Sequence, residues 1–458
     1  MRPQLLGLVG LLAKSTWAIE LDITDTENVK EVASTMAYGM LSRYTGNLTG
    51  DVPGNLPDPY HWWTTGAMFG ALLDYWWMTG DETYNNITMQ ALLHQASPTR
   101  DFMPENQTLT LGNDDQGFWA MAAMTAAENK FPDPPEGQPQ WLALAQACFN
   151  QWVTRWEPSV CGGGLRWQIF EFNRGFDYKN SISNGCFFNV AARLARYTGN
   201  ETYAEWAEKI WDWQTQTGLI SDQFEVFDGA HEQPAGEPCP PTDKNRWSYN
   251  AGIFLLGSAF MTNHTGDQKW LSRTESLLEA AESHYLVNDV IVEKICEGQP
   301  GERGCNIDQR TFKGYLIRWL HATSAIVPSL HERAMAMIRP SAIAAAKSCT
   351  GNPVDQGFRG PTGTACGLDW TQGVFDGLWG VGEQMNAMSA VMYTLADGSK
   401  VPVTNATGGT SGGDDNAGTG SHAWELAEIT TGDRAGAGIL ATLICAGLIG
   451  GVAWINYD

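Results

Sequence analysis

Positive charge is scarce in this chain: 28 Lys and Arg stand against 51 Asp and Glu, leaving a net charge of −23. A chain this acidic, with no basic stripe, repels nucleic acid and acidic lipid surfaces, so nucleic acid is not an expected partner. No C-x-x-C pair occurs among the 9 cysteines, which removes the common structural zinc sites. The 8 histidines are scattered, and His61 and His94 offer no ligand spacing, so neither a metal nor another cofactor is expected. The glycine clusters, Gly360–Gly363 among them, lack a following Lys-Ser/Thr, so phosphate-loop readings fail. Strand patterns are also rare, and helical periodicity recurs instead.

What is present is a core. The 458 residues are 43% hydrophobic and include 20 Trp, enough for a globular body and for a groove that stacks flat ligands. The ends read as processing signals. Residues 1–18 pair Arg2 with an apolar run and a small-residue ending at Ala18, the pattern of a secretory signal peptide. Residues 401–434 read as a flexible linker and spacer, with GGTSGGDDNAGTG at Gly408–Gly420 as its low-complexity part. Residues 435–458 form a terminal hydrophobic tail. Small residues, a spacer and such a tail match a GPI-attachment signal, with Asn416 as the attachment residue. A single C-terminal transmembrane helix is the competing reading, weakened because no Lys or Arg follows Trp454. Six sequons, at Asn47, Asn86, Asn106, Asn200, Asn263 and Asn405, agree with secretion and a place at the cell surface. Eight cysteines lie in the body, an even number that implies disulfides; short separations single out Cys296–Cys305 and Cys349–Cys366.

Three stretches share one form: Thr79-Gly80-Asp81, Thr198-Gly199-Asn200 and Thr265-Gly266-Asp267, each followed by a helix with an aromatic near its start. Glycine can end one helix in the left-handed conformation and Asp or Asn can open the next. Helical units at 62–95, 116–156, 183–214, 249–285 and 312–347, with helices at 25–44 and 376–395, give about a dozen helices in hairpins. Stacked hairpins make an open solenoid or a closed ring. No end unit is polar enough to cap a solenoid, so the expected fold is all-α, an (α/α)6 barrel formed by a single domain over residues 19–400. The apolar, glycine-containing helices would be the inner ones, and their N-terminal segments would share one rim and line one cleft.

The segment LGNDDQGFWAMAAMTAAE, Leu111–Glu128, holds two adjacent aspartates at a helix start. Acidic residues there ordinarily satisfy free N–H groups. Capping needs one side chain, however, and Asn113 or Asp114 could supply it. Two carboxyls among apolar neighbours repel, so one pKa should rise while its partner stays ionised, as an acid and a nucleophile require. Adjacent short arms suit the roughly 5–5.5 Å carboxyl spacing of a retaining glycosidase better than the wider inverting spacing.

That segment resembles the signature of glycoside hydrolase family 76, the endo-acting α-1,6-mannanases, and KNSISNG (Lys179–Gly185), WSYNAG (Trp247–Gly252), TFKG (Thr311–Gly314) and GVGEQMNAMSAVMY (Gly380–Tyr393) support the likeness. The resemblance implies an (α/α)6 fold, Asp114 as nucleophile and Asp115 as general acid/base. Its fungal cell-wall branch implies action on the α-1,6-mannose core of GPI glycans, with transfer of GPI-anchored glycoproteins onto wall β-glucan. A plain mannan hydrolase and a catalytically silent glycan-binding wall protein remain the alternatives. Expected sugar contacts are Trp62, Trp63, Asn113, Gln116, Lys179, Asn180, Asn184, Tyr249, Asn250 and Lys313. Of the two tryptophans, one at most would face the cleft, and Lys313 could instead pair with an acidic neighbour. The enzyme would act as a monomer, held at the membrane by its GPI anchor.

Overall fold

The computed structural model describes residues 19–396, 400–419 and 431–455. Among the described residues the body contains twelve α-helices in six hairpins. Inner helices are α2 (Trp62–Thr79), α4 (Asn113–Glu128), α6 (Ser181–Thr198), α8 (Ser248–Thr265), α10 (Phe312–Ile326) and α12 (Val381–Met392). Each packs on the next, and α12 returns to α2, so the ring closes. The outer helices are α1 (Thr26–Met40), α3 (Asn85–Gln95), α5 (Trp141–Arg155), α7 (Glu201–Gln216), α9 (Gln268–Tyr285) and α11 (His331–Ser348). α1 covers α12, which makes the sixth hairpin from the two ends of the body. This is the expected (α/α)6 barrel.

Sequence explains which helices go inside. From Gln116 to Glu128 every residue of α4 is buried, whereas α7 and α9 alternate buried and exposed faces. A helix apolar all round belongs in a core, and an amphipathic one on its surface. Each inner helix also carries a glycine near its start. A Cβ at Gly66, Gly117, Gly185, Gly252, Gly314 or Gly382 would come within 2.1–2.9 Å of the neighbouring ring helix or the segment leading into it. The glycines recurring in the rim motifs therefore serve close helix approach, which narrows the ring at that level.

The repeated Thr-Gly-Asp/Asn turns behave as expected at their helix ends. Gly80, Gly199 and Gly266 are left-handed caps with φ of 79°, 73° and 65°. Asn200 and Asp267 then cap α7 and α9, while Asp81 instead accepts from Thr83 N and α3 starts later, at Asn85. Cys296–Cys305 and Cys349–Cys366 are bonded as expected, and a third bridge joins Cys161 to Cys239. The even-count expectation fails for the remaining pair, since Cys148 and Cys186 are buried free thiols. They belong to inner-facing positions of α5 and α6, where small apolar side chains pack.

The expected flexible linker is a correction. Residues 400–419 belong to the compact body, which runs to Thr419, and they form a strap bonded to its helices. Val403 N donates to Glu128 O and Asn405 N to Tyr197 O. Ser411 Oγ accepts from Leu142 N at 2.9 Å, Gln146 Nε2 donates to Asp415 Oδ1 at 2.8 Å, and Asn150 Nδ2 donates to Ala417 O at 2.8 Å. A Cβ at Gly409 would meet Tyr197, at Gly413 would lie 2.8 Å from Gln146 Oε1, and at Gly418 2.8 Å from Ala147 O. The glycines that read as flexibility thus permit contact.

Asn416 lies in this strap and is exposed, as are Asn47, Asn86, Asn106, Asn263 and Asn405 of the sequons; Asn200 is the helix cap. A separate unit contains α13 (Thr431–Ile455), which exposes Ile439, Leu440, Leu443 and Ile444. Among the described residues no helix is long and apolar enough to cross a membrane. The expected leader at 1–18 and the residues 420–430 of the spacer lie outside the described residues.

Candidate active site

The helix carrying the aspartates starts one residue before them. Gly112 is its N-cap, so Asp114 and Asp115 are the second and third helical residues. Neither Asn113 nor Asp114 caps it by side chain, contrary to expectation; Asp115 Oδ2 accepts from Gly112 N at 2.6 Å. Glycine at 112 leaves room for the pair, since a Cβ there would sit 2.4 Å from Asp114 Oδ1 and push that carboxyl aside. That oxygen has no hydrogen-bond partner among the described residues. The loop before β1 (Tyr178–Asn180) holds this turn from outside. Asn113 N donates to Trp167 O at 2.8 Å, Ile169 N to Leu111 O at 3.2 Å, and Trp167 N to Tyr178 O at 2.6 Å. β1 in turn pairs antiparallel with β2 (Gly229–His231), which fixes the loop ahead of α8 beside it.

Both aspartates border a cavity of about 520 Å³ at the N-terminal rim of the inner helices, a size suited to a small ligand. At the other end of the ring the space is only about 50 Å³. There Arg193 pairs with Glu128 at 2.6 Å and Arg318 with Asp74 at 2.5 Å, and these side chains plug the barrel.

Trp62, Trp63, Asn180 and Tyr249 reach the cavity as expected. Both tryptophans border it, not one. Trp62 is the first residue of α2, and its Nε1 donates to Gln95 Oε1 at 2.8 Å, while Trp63 packs on Phe118. Tyr249 stacks on Phe312 with centroids 3.8 Å apart and planes 7° from parallel. Asn180 Oδ1 also accepts from Ser183 N, capping α6.

The other six expected contacts lie behind the wall. Asn113 and Gln116 accept from Arg155 Nη1 at 2.9 and 2.8 Å. Asn184 grips both backbone groups of Leu165. Asn250 Nδ2 donates to Asp228 Oδ1 at 3.2 Å and so acts one layer back. Lys179 is fully buried, and its Nζ donates to Glu157 O, Val160 O and Gly163 O. Lys313 is likewise buried, paired with Glu297 at 2.8 Å over the Trp370 ring. A buried ammonium needs such partners, and loops distant in sequence supply them.

Sequence reasoning missed two further acids in the cavity, Asp228 and Asp308, together with His61, Trp167 and Tyr178, while Phe312 of the rim segment Thr311–Tyr315 borders it as expected. Asp308 lies three residues before Thr311-Phe312-Lys313-Gly314, so its place ahead of an inner helix was a usable signal. Asp228 sits in the α7–α8 loop and had none. Tyr178 Oη donates to Asp228 Oδ2 at 2.7 Å, and His61 Nε2 lies 3.8 Å from Asp308 Oδ2.

Burial sets the electrostatics. Desolvation, then the Asp115 charge, holds Asp114 well above the ordinary carboxyl range, against the pull of first-turn N–H groups and the Ser183 hydroxyl. Desolvation lifts Asp115 to about 6, with the Gly112 N–H opposing and Asp308 adding to the rise. Asp228 also rises to about 6, mainly by burial, and Asp308 rises for the same reason. One carboxyl was expected to rise; both do, because the same apolar wall desolvates both. The pair therefore holds a proton near neutrality, which suits acid–base chemistry at a single bond.

Comparison with known proteins identifies the family and the fold. The Glycosyl hydrolase family 76 model matches residues 28–406. The chain is 43% identical over 460 residues to the mannan endo-1,6-alpha-mannosidase DCW1 of Saccharomyces cerevisiae, covering 99% of each. It superposes on Dfg5 from Chaetomium thermophilum, crystallised in complex with glucosamine, with a TM-score of 0.80 and 44% identity over 88% of this chain and 98% of that one. The GH76A alpha-1,6-mannanase from Salegentibacter sp. HEL1_6 shares the fold, with a TM-score of 0.61 at 18% identity, over 80% of this chain and 98% of that one. The chain belongs to glycosyl hydrolase family 76 and is a glycoside hydrolase.

Proposed function

We propose that the chain cleaves α-1,6-linked mannose by a retaining mechanism and passes the glycosyl group either to water or to a sugar hydroxyl. The observation that carries this reading is the adjacent, partly enclosed aspartate pair in an aromatic cavity. In the first step a carboxylate oxygen of Asp114 bonds to the anomeric carbon as the glycosidic C–O bond breaks. Asp115 gives its proton to the departing oxygen. In the second step Asp115 takes a proton from the acceptor, whose oxygen displaces Asp114. The order within the pair follows the family resemblance. Burial raises both carboxyls, and the reaction needs the proton they retain to sit on Asp115 at the moment of attack.

Trp62, Trp63 and Tyr249 offer ring faces and edges to the sugar, and Asn180, Asp228 and Asp308 offer acceptors for its hydroxyls. The substrate is α-1,6-mannan or the mannose core of a GPI glycan, and the enzyme works at the cell surface as a GPI-anchored monomer. Transfer to β-glucan uses the same two carboxyls as hydrolysis, so the acceptor alone separates these outcomes. The test incubates the purified protein with α-1,6-mannotetraose, with and without a β-1,3-glucan oligosaccharide. Mannosylated glucan is expected when the acceptor is present. Free mannosides regardless of acceptor would leave plain hydrolysis, the activity that the names of the fungal relatives state.

A further inference from the structure

The strap ends against α5 one helical turn before the residue that holds the catalytic turn. Gln151 Nε2 donates to Gly418 O. Its Oε1 accepts from Arg155 Nη2 at 3.3 Å. Arg155 Nη1 then donates to Asn113 Oδ1 at 2.9 Å and Gln116 Oε1 at 2.8 Å. Asn113 and Gln116 flank Asp114 and Asp115 in sequence. Their remaining amide groups are anchored as well, Asn113 Nδ2 on Arg166 O at 2.8 Å and Gln116 Nε2 on Asp101 O at 2.7 Å. The guanidinium thus clamps the first turn of α4 from both sides of the aspartate pair.

We infer that, in the chain before any cleavage at Asn416, docking of the 400–419 strap sets the working geometry of the aspartate pair, with Gln151 and Arg155 as positioning residues between them. The inference rests on the glycosidase reading above. Its physical basis is a continuous relay of four hydrogen-bonded links, with no apolar step, from the strap backbone to the α4 start. Guanidinium geometry transmits position because its N–H groups form a planar fork; a shift at Nη2 moves the donors at Nη1. An amide such as Gln151 keeps one orientation only while both its ends are engaged, and the strap supplies one of them. Asn150 and Gln146, which hold Ala417, Asp414 and Asp415, register the strap so that Gly418 meets Gln151.

The glycines give a test that leaves α5 and the cavity untouched. A Cβ at Gly413 would fall 2.8 Å from Gln146 Oε1, and one at Gly418 would fall 2.8 Å from Ala147 O with φ at +71°. At Gly412 it would meet only Gln140 Cγ at 3.6 Å, an ordinary contact. The full chain, wild type and carrying Gly413→Val with Gly418→Val, or Gly412→Ala as control, is assayed on α-1,6-mannotetraose. Limited proteolysis after residue 400 reports strap release. Release is expected in the double variant, with kcat lowered about tenfold and KM within about twofold, since a displaced catalytic group loses rate before binding. The Gly412→Ala control should match wild type in both readouts.

A released strap with unchanged kcat overturns the inference, as does a strap that stays docked in the double variant. A fall confined to KM overturns it too. No turnover by wild type would instead count against the glycosidase reading, so the two failures are distinct. Gln151→Ala provides a second arm, expected to lower kcat similarly with the strap still protected beyond Ser411.

Discussion

Replacing Asp115 by Asn should make the protein more stable near neutral pH. The Asp115 carboxyl rises from 3.8 to about 6 in the folded protein, chiefly through burial. A raised carboxyl pKa means the native state holds the proton more tightly than the unfolded chain. Its contribution to stability is complete below pH 3.8 and is lost as pH climbs through 6. At pH 7 the ionised group costs about 3 kcal/mol, from 1.36 kcal/mol per tenfold change in proton affinity. Asn is nearly isosteric, keeps an oxygen for the Gly112 N–H, and carries no charge to desolvate. The expected gain corresponds to a rise of ~3 °C in Tm for a body of this size. Thermal unfolding of wild type and Asp115→Asn between pH 3.5 and 7.5 gives the measurement. The two should coincide at the acid end, diverge between about pH 4 and 6, and run parallel above that, wild type being the less stable. A constant offset across the range, or a less stable variant at pH 7, would refute the claim that Asp115 is held in a desolvated site. Stability surrendered at a catalytic group is common in enzymes.

Other outcomes follow from the same geometry. Asp114→Asn and Asp115→Asn should each cut turnover of α-1,6-mannotetraose at least about a thousandfold while circular dichroism stays native. Gly112→Ala should displace the Asp114 carboxyl, lowering kcat more than it raises KM in steady-state assays. Lys313→Met should destabilise the fold by about 3–5 kcal/mol in urea titration by leaving Glu297 buried without its partner, with KM of the folded fraction unchanged. A chain ending after Asn416 lacks the Gly418 carbonyl that engages Gln151, so it should show a lower kcat than one ending after Thr419.

The ring was legible because helix period, left-handed glycine caps and the even march of hairpins are local properties. Cys296–Cys305 and Cys349–Cys366 were legible for the same reason, while Cys161–Cys239 spans 78 residues and has no local signature. The aspartate pair stood out because two acids preceded an apolar run that one would cap. Lys179 misled, and Lys313 stayed open between a sugar and an acidic neighbour, because a lysine ahead of an inner helix looks the same in either setting. Their partners, Val160, Gly163, Glu297 and Leu368, come from loops whose paths no motif encodes. The strap misled for a different reason. Glycine signals freedom in an isolated chain and close contact in a packed one, and only Tyr197, Gln146 and Ala147 distinguish the two. Asp228 and Asp308 sit in connections, where an acid has many ordinary uses.

Retention requires a covalent passage through one of two neighbouring carboxyls, and product stereochemistry tests it directly. Proton NMR of α-1,6-mannotetraose taken in the first moments of cleavage, before mutarotation, should show the new reducing end as the α anomer. A β anomer appearing first would mean direct displacement by water and would contradict the assignment of Asp114 as nucleophile.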